Sequence, residues 1–290
     1  MQPPVPRVAA IHDLSGFGRA SLTVVIPILA TMGIQVCPVP TGVFSTHGLF
    51  PGVKMNDLTD VLREYLEHWR SIGMTFDAIY SGFLNSARQI DVMTDFILDF
   101  SSRDQLIIID PVLGDNGKLY GITDANMVAR MQTYIGLADV ITPNVTEAAL
   151  LLGKPYRSIF DVVKIKEWLL EFAEKGPRIT VFTSVPIGHT SRQKAVVAYN
   201  RDEGQFWRIL YDEIPAAFPG TGDAFTSILT GSLLHGDSLP LAIDRAVQFL
   251  SIAIRTTFSY PSYPAREGIL LERVLQHLHQ PYIPGNIETL

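Results

Sequence analysis

The stretch "PGTGDAFTSILTG", Pro219 to Gly231, places two glycines, a threonine and one aspartate directly before an apolar helical pattern. The apolar residues recur at the spacing of a helix: Ala224, Phe225, Ile228 and Leu229. Glycine lets backbone N–H groups approach an anion closely, and a helix N-terminus adds unpaired donors and the positive end of the helix dipole. The stretch therefore predicts an anion-binding helix start that carries one carboxylate.

That carboxylate, Asp223, has two interpretations. Beside a phosphate, a carboxylate is electrostatically costly unless it accepts the proton of a hydroxyl that attacks phosphorus. An aspartate in a first helical turn also simply complements the helix dipole. The residues of this stretch alone leave both interpretations open.

The rest of the chain alternates short apolar runs with amphipathic helical patterns. The predicted buried strands are 8–11, 78–81, 106–110, 139–142 and 179–183. Apolar residues recur at helical spacing within 22–29, 58–69 and 239–254. This alternation predicts a mostly parallel sheet between layers of helices, with an antiparallel edge hairpin formed by 194–211. One further segment, 40–52, is rich in glycine and proline and departs from the pattern.

Polar residues follow several of these strands, at the end of a parallel sheet where ligands bind. They are His12, Asp13, Ser81, Asp110, Thr142, Asn144, Thr183 and Ser184. Because Asp, Asn, Ser and Thr are also the preferred helix caps, each residue taken singly has a structural interpretation. Their agreement over five turns favours a ligand site.

Composition predicts one ordered domain over residues 1–290 that binds a small molecule. The chain is 47% hydrophobic and 18% charged, which allows a large core, and its net charge of -6 argues against nucleic acid or anionic membrane as a partner. A single cysteine, Cys37, the lack of a signal-peptide pattern and the lack of a long apolar run favour a reducing cytoplasm.

Competing motifs match the sequence only in part. "GDNGKLY" has leucine where a Walker A loop needs serine or threonine, and "GFGRAS" lacks the last glycine or alanine of a dinucleotide fingerprint. Neither an H-E-x-x-H motif nor a cysteine pair is present, so a zinc centre is not expected.

Four motifs in order resemble the ribokinase superfamily, and within it the pyridoxal/pyridoxine/pyridoxamine kinases. They are "DPVLGDNGKLY" (110–120), "TPNVTEAALLLG" (142–153), "TS" (183–184) and "GTGDAF" (220–225). The resemblance implies a three-layer αβα sandwich, a homodimer, and transfer of phosphate from ATP to the 5′-hydroxymethyl group of a vitamin B6 vitamer, with Mg²⁺ and, in many members, K⁺.

The resemblance also implies roles for individual residues. Asp223 would be the general base, and the amides of Gly220, Thr221 and Gly222 would hold the transferring phosphoryl group. Asp110 and Glu147 would anchor Mg²⁺ through water, although Glu147 also fits a helix-capping pattern. The ATP site would comprise Asp115, Thr142, Asn144, Glu147, Thr183 and Ser184.

The acceptor side matches the family less closely. The vitamer site would comprise Asp13, Ser15, Phe44, Thr46, His47 and Phe83, each of which also fits a core, cap or backbone-bonding role. The chain departs from many members at His12-Asp13, at Gly48 and at Phe83, where Gln-Ser, Thr and Tyr are common. An anionic Asp13 facing the ring would favour cationic groups, so we expect pyridoxamine to be used at least as well as pyridoxal.

Two alternatives remain. The turn "HDLSGFGRAS" is also similar to that of hydroxymethylpyrimidine kinases, although many of those have cysteine in place of Asp223 and "VFSTH" (43–47) favours the B6 side. A regulator that binds vitamer or nucleotide without catalysis is the other, and an intact Asp223 argues against it.

Overall fold

The computed structural model describes residues 4–157, 160–187, 193–280, 282–285 and 287–290. The chain divides into two compact units. Unit 1 comprises Met1–Gly82 and Ile214–Gly285, and unit 2 comprises Phe83–Glu213 and Asn286–Leu290. The expectation of a single domain over 1–290 stays a prediction.

Strands and helices alternate along most of the chain. In chain order, the strands are β1 (Arg7–Ser15), β2 (Gln35–Phe44), β3 (Met55–Asp57), β4 (Ala78–Ser81), β5 (Leu106–Ile109), β6 (Gly114–Asp115), β7 (Lys118–Leu119), β8 (Val140–Ile141), β9 (Ile179–Pro186), β10 (Gln193–Asn200), β11 (Gln205–Asp212) and β12 (Ile287–Thr289). The helices are α1 (Leu22–Thr31), α2 (Thr59–Ser71), α3 (Ala87–Phe100), α4 (Ala125–Tyr134), α5 (Val145–Leu152), α6 (Val162–Glu174), α7 (Thr221–Leu234) and α8 (Leu239–Phe258).

In unit 1 the strand order is β4-β1-β2-β3. β1 pairs in parallel with β4 and β2, and β3 is antiparallel to β2. Strand β2 extends to Phe44, so the first five residues of the glycine- and proline-rich segment 40–52 are strand. Since β3 pairs only with residues 42–44 of β2, Pro38 and Pro40 lie where no β3 residue needs their missing N–H.

Unit 1 buries its strands beneath apolar helix faces. Residues 8–11 of β1 have no exposed surface, because both faces of the strand are covered. Helix α1 packs against β1, β2 and α7, and α7 packs against α8. This arrangement brings the start of α7 next to the turn that follows β1, where the candidate site lies.

In unit 2 the strand order is β5-β8-β9-β10-β11-β12. β5, β8 and β9 are parallel, and β10, β11 and β12 continue the sheet with antiparallel pairing. The predicted antiparallel hairpin over 194–211 is therefore confirmed, with β12 as an additional strand outside it. Each of the predicted buried strands forms at its expected place in the chain.

A separate two-stranded hairpin in unit 2 joins β6 to β7 through Asn116 and Gly117. Both turn residues have positive φ, 51° and 76°. Asparagine followed by glycine is the preferred pair for such a turn, so the local sequence explains the bend. The hairpin holds Asp115 on the surface at the start of the turn.

Among the helices of the described ranges, none combines the length and the apolar character that crossing a membrane requires.

Candidate active site

The start of α7 has the geometry of an anion site. Gly220, the residue before the helix, has φ 80°, and a Cβ there would lie 2.4 Å from the carbonyl oxygen of Arg19. Only glycine fits this position without strain. No side chain caps the helix, so the first-turn N–H groups that follow, including those of Thr221 and Gly222, are available to an anion.

Asp223 lies in this first turn, and its carboxylate is next to residues of β1 and of the turn that follows β1. Its Oδ2 accepts a 2.8 Å hydrogen bond from the backbone N–H of Ser21, and its Oδ1 is 3.7 Å from Nδ1 of His12. The side chain is 14% exposed. Burial raises the pKa of Asp223 to about 6, against the opposing effect of the Ser21 N–H and with a further contribution from Asp13. The carboxylate is therefore charged at neutral pH yet is a stronger base than a solvated aspartate.

The turn between β1 and α1 is braced by Asp13. This buried carboxylate accepts hydrogen bonds from the Ser15 hydroxyl at 2.8 Å and from the Ser21 hydroxyl. Burial raises the pKa of Asp13, and the two serine hydroxyls oppose that shift. Asp13 thus fixes the turn whose backbone holds Asp223. Its contact with the vitamer ring stays a prediction.

Four further acceptor-site candidates lie in unit 1, on or near β1 and β2. Ser15 pairs with Phe44 across the two strands, and both side chains are buried. The Thr46 hydroxyl is buried and has no hydrogen-bond partner among the described residues, which suits a ligand contact. His47 is bonded to backbone, with its Nε2 2.7 Å from the Arg266 carbonyl oxygen and its Nδ1 accepting from Leu49 N–H at 3.4 Å.

Two of the positions at which the acceptor side departs from the family pattern, Gly48 and Phe83, differ in their surroundings. Gly48 is exposed, and a Cβ there would meet no atom within 4 Å. Phe83 is half-buried and is the first residue of unit 2, whereas the other vitamer-site candidates are in unit 1.

In unit 2 the predicted metal residues form a buried acidic pair. Asp110 follows β5, and Glu147 lies in the first turn of α5. Glu147 accepts hydrogen bonds from the N–H groups of Leu113 (3.1 Å) and Asn144 (2.8 Å). Burial, and then the charge of Asp110, raise the pKa of Glu147 well above its usual value. A divalent cation would relieve this repulsion, so the pair fits Mg²⁺ held through water.

No cluster of three or more His, Cys, Asp or Glu side chains in the described part of the chain could ligate a metal directly. Asp110 and Glu147 are a pair, which would leave most of a coordination shell to water and phosphate oxygens. Mg²⁺ commonly binds in this way, with one or two protein carboxylates.

A cavity of about 190 Å³ lies at the start of α5. It is lined by Asp115, Asn116, Asn144, Val145, Thr146, Tyr156, Ser184, Pro186 and Lys194. Asn144 caps the helix, with its Oδ1 accepting from the N–H groups of Thr146 and Glu147, and its Nδ2 donates to the Gly114 carbonyl oxygen at 2.9 Å. The structure therefore brings Asp115, Asn144 and Ser184 of the predicted nucleotide set to one cavity.

Besides Glu147, the two remaining nucleotide candidates lie close to this cavity along the chain. Thr142 is buried directly after β8, and Thr183 pairs with Asn144 through an isolated parallel bridge. Ser184 has φ 56°, and its Oγ accepts from the Tyr211 hydroxyl at 3.3 Å. The bridge links the two strand ends that carry the "TPN" and "TS" motifs.

Neither the sequence patterns nor the family resemblance assigns a role to three side chains at these sites. Tyr156 lies over Gly117, where a Cβ would come within 3.0 Å of its ring, and Lys194 pairs with Glu213 at 2.6 Å while lining the cavity. Neither has a local sequence signal, because the residues they contact are distant in the chain. His12 has a signal, its position directly after the apolar run 8–11. The family resemblance, however, assigns a role only to its neighbour Asp13.

The fold and these two clusters define a small-molecule kinase, with an α/β fold of the ribokinase type and a carboxylate at an uncapped helix start. Residues 55–264 match the phosphomethylpyrimidine kinase family. A pyridoxal kinase from Arabidopsis thaliana is 30% identical over 254 residues, which cover 85% of this chain and 80% of the relative. The chain belongs to this family and groups within it with the pyridoxal kinases.

Solved structures similar to this chain support the same family assignment. A Bacteroides thetaiotaomicron protein assigned as a phosphomethylpyrimidine kinase, crystallised with pyridoxal, is 50% identical with a TM-score of 0.96 and covers 99% of this chain and 100% of its own. Pyridoxal kinase from Lactobacillus plantarum is 30% identical with a TM-score of 0.86 and covers 94% of this chain and 96% of its own. These similarities confirm the predicted α/β fold class.

Proposed function

We propose that this protein transfers the γ-phosphoryl group of ATP to the 5′-hydroxymethyl group of a vitamin B6 vitamer: pyridoxal, pyridoxine or pyridoxamine. The observation that carries the proposal is the Asp223 carboxylate at the uncapped start of α7, with its pKa raised to about 6 by burial. A base with a pKa slightly below the working pH is charged and still takes up a proton readily. The pyridoxal kinase relatives support the acceptor class.

In the proposed reaction Asp223 accepts the proton of the 5′-hydroxyl as that oxygen bonds to the γ-phosphorus. The bond between this phosphorus and the bridging oxygen breaks, and ADP leaves with the electron pair. The N–H groups of Thr221 and Gly222 stabilise negative charge on the phosphoryl oxygens, because they are oriented before the reaction begins. The turn that Asp13 braces holds the base in place.

Unit 2 is proposed to supply the nucleotide residues. The cavity beside Asn144 would accept part of ATP, with Lys194 as a cation for its phosphates and Tyr156 as an aromatic face. Asp110 and Glu147 would hold Mg²⁺ through water, where the ion neutralises phosphate charge. A requirement for K⁺ belongs to the same proposal.

Hydroxymethylpyrimidine is the second candidate acceptor. The family match and the assignment of the Bacteroides thetaiotaomicron protein favour it, whereas the pyridoxal in that crystal favours a B6 vitamer. Asp223 supports catalysis over a regulator that only binds its ligands, because binding alone gives no reason to bury a carboxylate at an anion site.

A role in B6 salvage, a homodimer and a cytoplasmic location complete the proposal. Exposed apolar side chains on neighbouring strands of unit 1, Leu14, Val43 and Met55, suit a contact with a second copy of the chain. Light scattering coupled to gel filtration tests the dimer.

A substrate panel tests the function. ADP formation should depend on a B6 vitamer when pyridoxal, pyridoxine, pyridoxamine and hydroxymethylpyrimidine are compared with ATP and Mg²⁺. Turnover of hydroxymethylpyrimidine alone would favour the second candidate. Vitamer binding by calorimetry without turnover would favour the regulator.

A further inference from the structure

His12 is a fully buried histidine beside the proposed base. It lies in β1, its ring packs edge-on against Tyr80 with 4.5 Å between ring centroids, and its Nδ1 is 3.7 Å from Asp223 Oδ1. A Cβ at Gly82 would come within 2.1 Å of its ring, so the backbone closes over the imidazole. Neither ring nitrogen has a hydrogen-bond partner among the described residues.

The protonation order of the two side chains decides what His12 can do. Burial lowers the pKa of His12 to about 3, whereas that of Asp223 is raised to about 6. At neutral pH the imidazole is neutral beside a charged carboxylate. A proton that Asp223 takes from a substrate is therefore held by Asp223 in preference to His12. A neutral imidazole still has one N–H to donate.

We propose that His12 is a positioning residue for Asp223, carrying its proton on Nδ1 and donating it to Asp223 Oδ1 opposite the Ser21 N–H that binds Oδ2. This inference rests on the proposed role of Asp223 as the base. It requires the 3.7 Å separation to close to hydrogen-bonding distance when the vitamer binds, as catalytic hydrogen bonds commonly do in complexes.

The two donors would hold the carboxylate from both sides. Hydrogen bonds to the charged form of a carboxylate lower its pKa, and they restrict its rotation. Asp13 is the acidic group that raises the pKa of Asp223, and Tyr80 is the titratable side chain whose ring packs edge-on against His12. His12 thus offsets part of the repulsion from Asp13 and fixes the direction of the basic oxygen.

Two substitutions separate the hydrogen bond that His12 would donate from the space that its ring fills. In His12→Asn the side-chain amide nitrogen occupies the position of Nδ1 and can still donate, whereas His12→Leu fills the space without a donor. His235→Asn is the matched control, because His235 lies beyond the opposite end of α7, bonded to the Met32 carbonyl oxygen.

The pH profile of kcat is the first readout. In His12→Leu we expect the acid limb to move up by roughly one pH unit and kcat to fall about tenfold, with KM for the vitamer little changed. His12→Asn should keep the acid limb near its wild-type position, and His235→Asn should match wild type throughout. An acid limb at the same pH in His12→Leu and in wild type would overturn the proposal.

The tautomer of His12 is the second readout and needs no variant to be active. Nitrogen NMR of the histidine-labelled protein with bound vitamer, assigned by the signal missing in His12→Asn, should show the proton on Nδ1. A proton on Nε2 would overturn the proposal. If the wild-type protein does not phosphorylate any vitamer, the proposed function fails, whereas an active wild type with the Nε2 tautomer removes only the role of His12.

Discussion

The backbone N–H of Ser21 donates a 2.8 Å hydrogen bond to the carboxylate of Asp223, a residue 202 positions later in the chain. Ser21 has φ 53°, which is uncommon for a residue with a side chain. Its hydroxyl donates to Asp13, which holds the turn in this conformation. Backbone strain next to a raised-pKa carboxylate is typical of functional sites.

Asp223→Asn should stabilise the fold at neutral pH. The folded-state pKa of about 6 exceeds the ordinary value of 3.8, so the native protein binds more protons than the unfolded chain between these values. The free energy of unfolding therefore falls as pH rises through about 6. Asparagine removes that charge, and we expect a gain of about 3 kcal/mol at pH 7.5 that disappears near pH 4.

Thermal melting of wild type and Asp223→Asn across this pH range measures the difference. A melting temperature that is lower in the variant at pH 7.5 would contradict it, because the charged carboxylate would then stabilise the fold. Catalytic groups are commonly kept at a cost in stability. This variant should therefore gain stability and lose activity.

Gly220→Ala should abolish most activity and destabilise unit 1. The added Cβ would lie 2.4 Å from the Arg19 carbonyl oxygen, at φ 80°. Gly236→Ala is the matched control, because Gly236 has φ 85° and open space around it. Both variants carry the same backbone strain of about 1 kcal/mol, so the difference between them measures the close contact at the helix start. Equal kcat/KM values would show that this contact does not shape the anion site.

Glu147→Gln should raise the Mg²⁺ concentration needed for half-maximal rate and leave vitamer affinity nearly unchanged. Glutamine has one acceptor oxygen where Glu147 receives two N–H groups, so a lower melting temperature is also expected. Glu167→Gln, at an exposed pair with Lys164, is the control for charge alone. Calorimetry that showed lost vitamer affinity with an unchanged Mg²⁺ requirement would contradict the proposed role.

Asp13→Ser should shift the ratio of kcat/KM values from pyridoxamine toward pyridoxal, if the carboxylate faces the vitamer. The variant should also melt at a lower temperature, because the hydroxyls of Ser15 and Ser21 lose their acceptor. Rates with both vitamers and the melting temperature are measured together. A lower melting temperature with an unchanged ratio would leave Asp13 as a brace of the turn alone.

Local sequence patterns predict the central strands because a strand buried on both faces must be apolar throughout. β4 and β5 are such runs. The three-residue edge strands β3 and β12 could not be predicted, since each is too short to show a pattern and forms only by pairing with a longer strand. Strand β2 is harder to delimit from the sequence, because Pro38 and Pro40 favour a loop. They are tolerated in the strand because β3 pairs only with residues 42–44.

Some residues of the candidate site could likewise be predicted from local patterns, and others could not. Asp223 and Asn144 could be found because a helix start has a local signature of caps and glycines. His12, Tyr156 and Lys194 could not be assigned, because their environments are made by residues far away in the chain. The bonding of Asp13 to two serines likewise depends on a turn whose conformation the residues alone do not give.

The rate of pyridoxal 5′-phosphate formation by wild type and Asp223→Asn, with ATP and Mg²⁺ at pH 7.5, decides whether Asp223 is the base of a vitamer kinase. Asparagine keeps the size and the acceptor for the Ser21 N–H but removes the base. Wild type should convert the vitamer with one ADP released per phosphate ester, and the variant should be slower by roughly 10²-fold or more with nucleotide binding retained. Near-normal turnover in the variant, or no phosphate ester from the wild type, would be incompatible with the proposed mechanism.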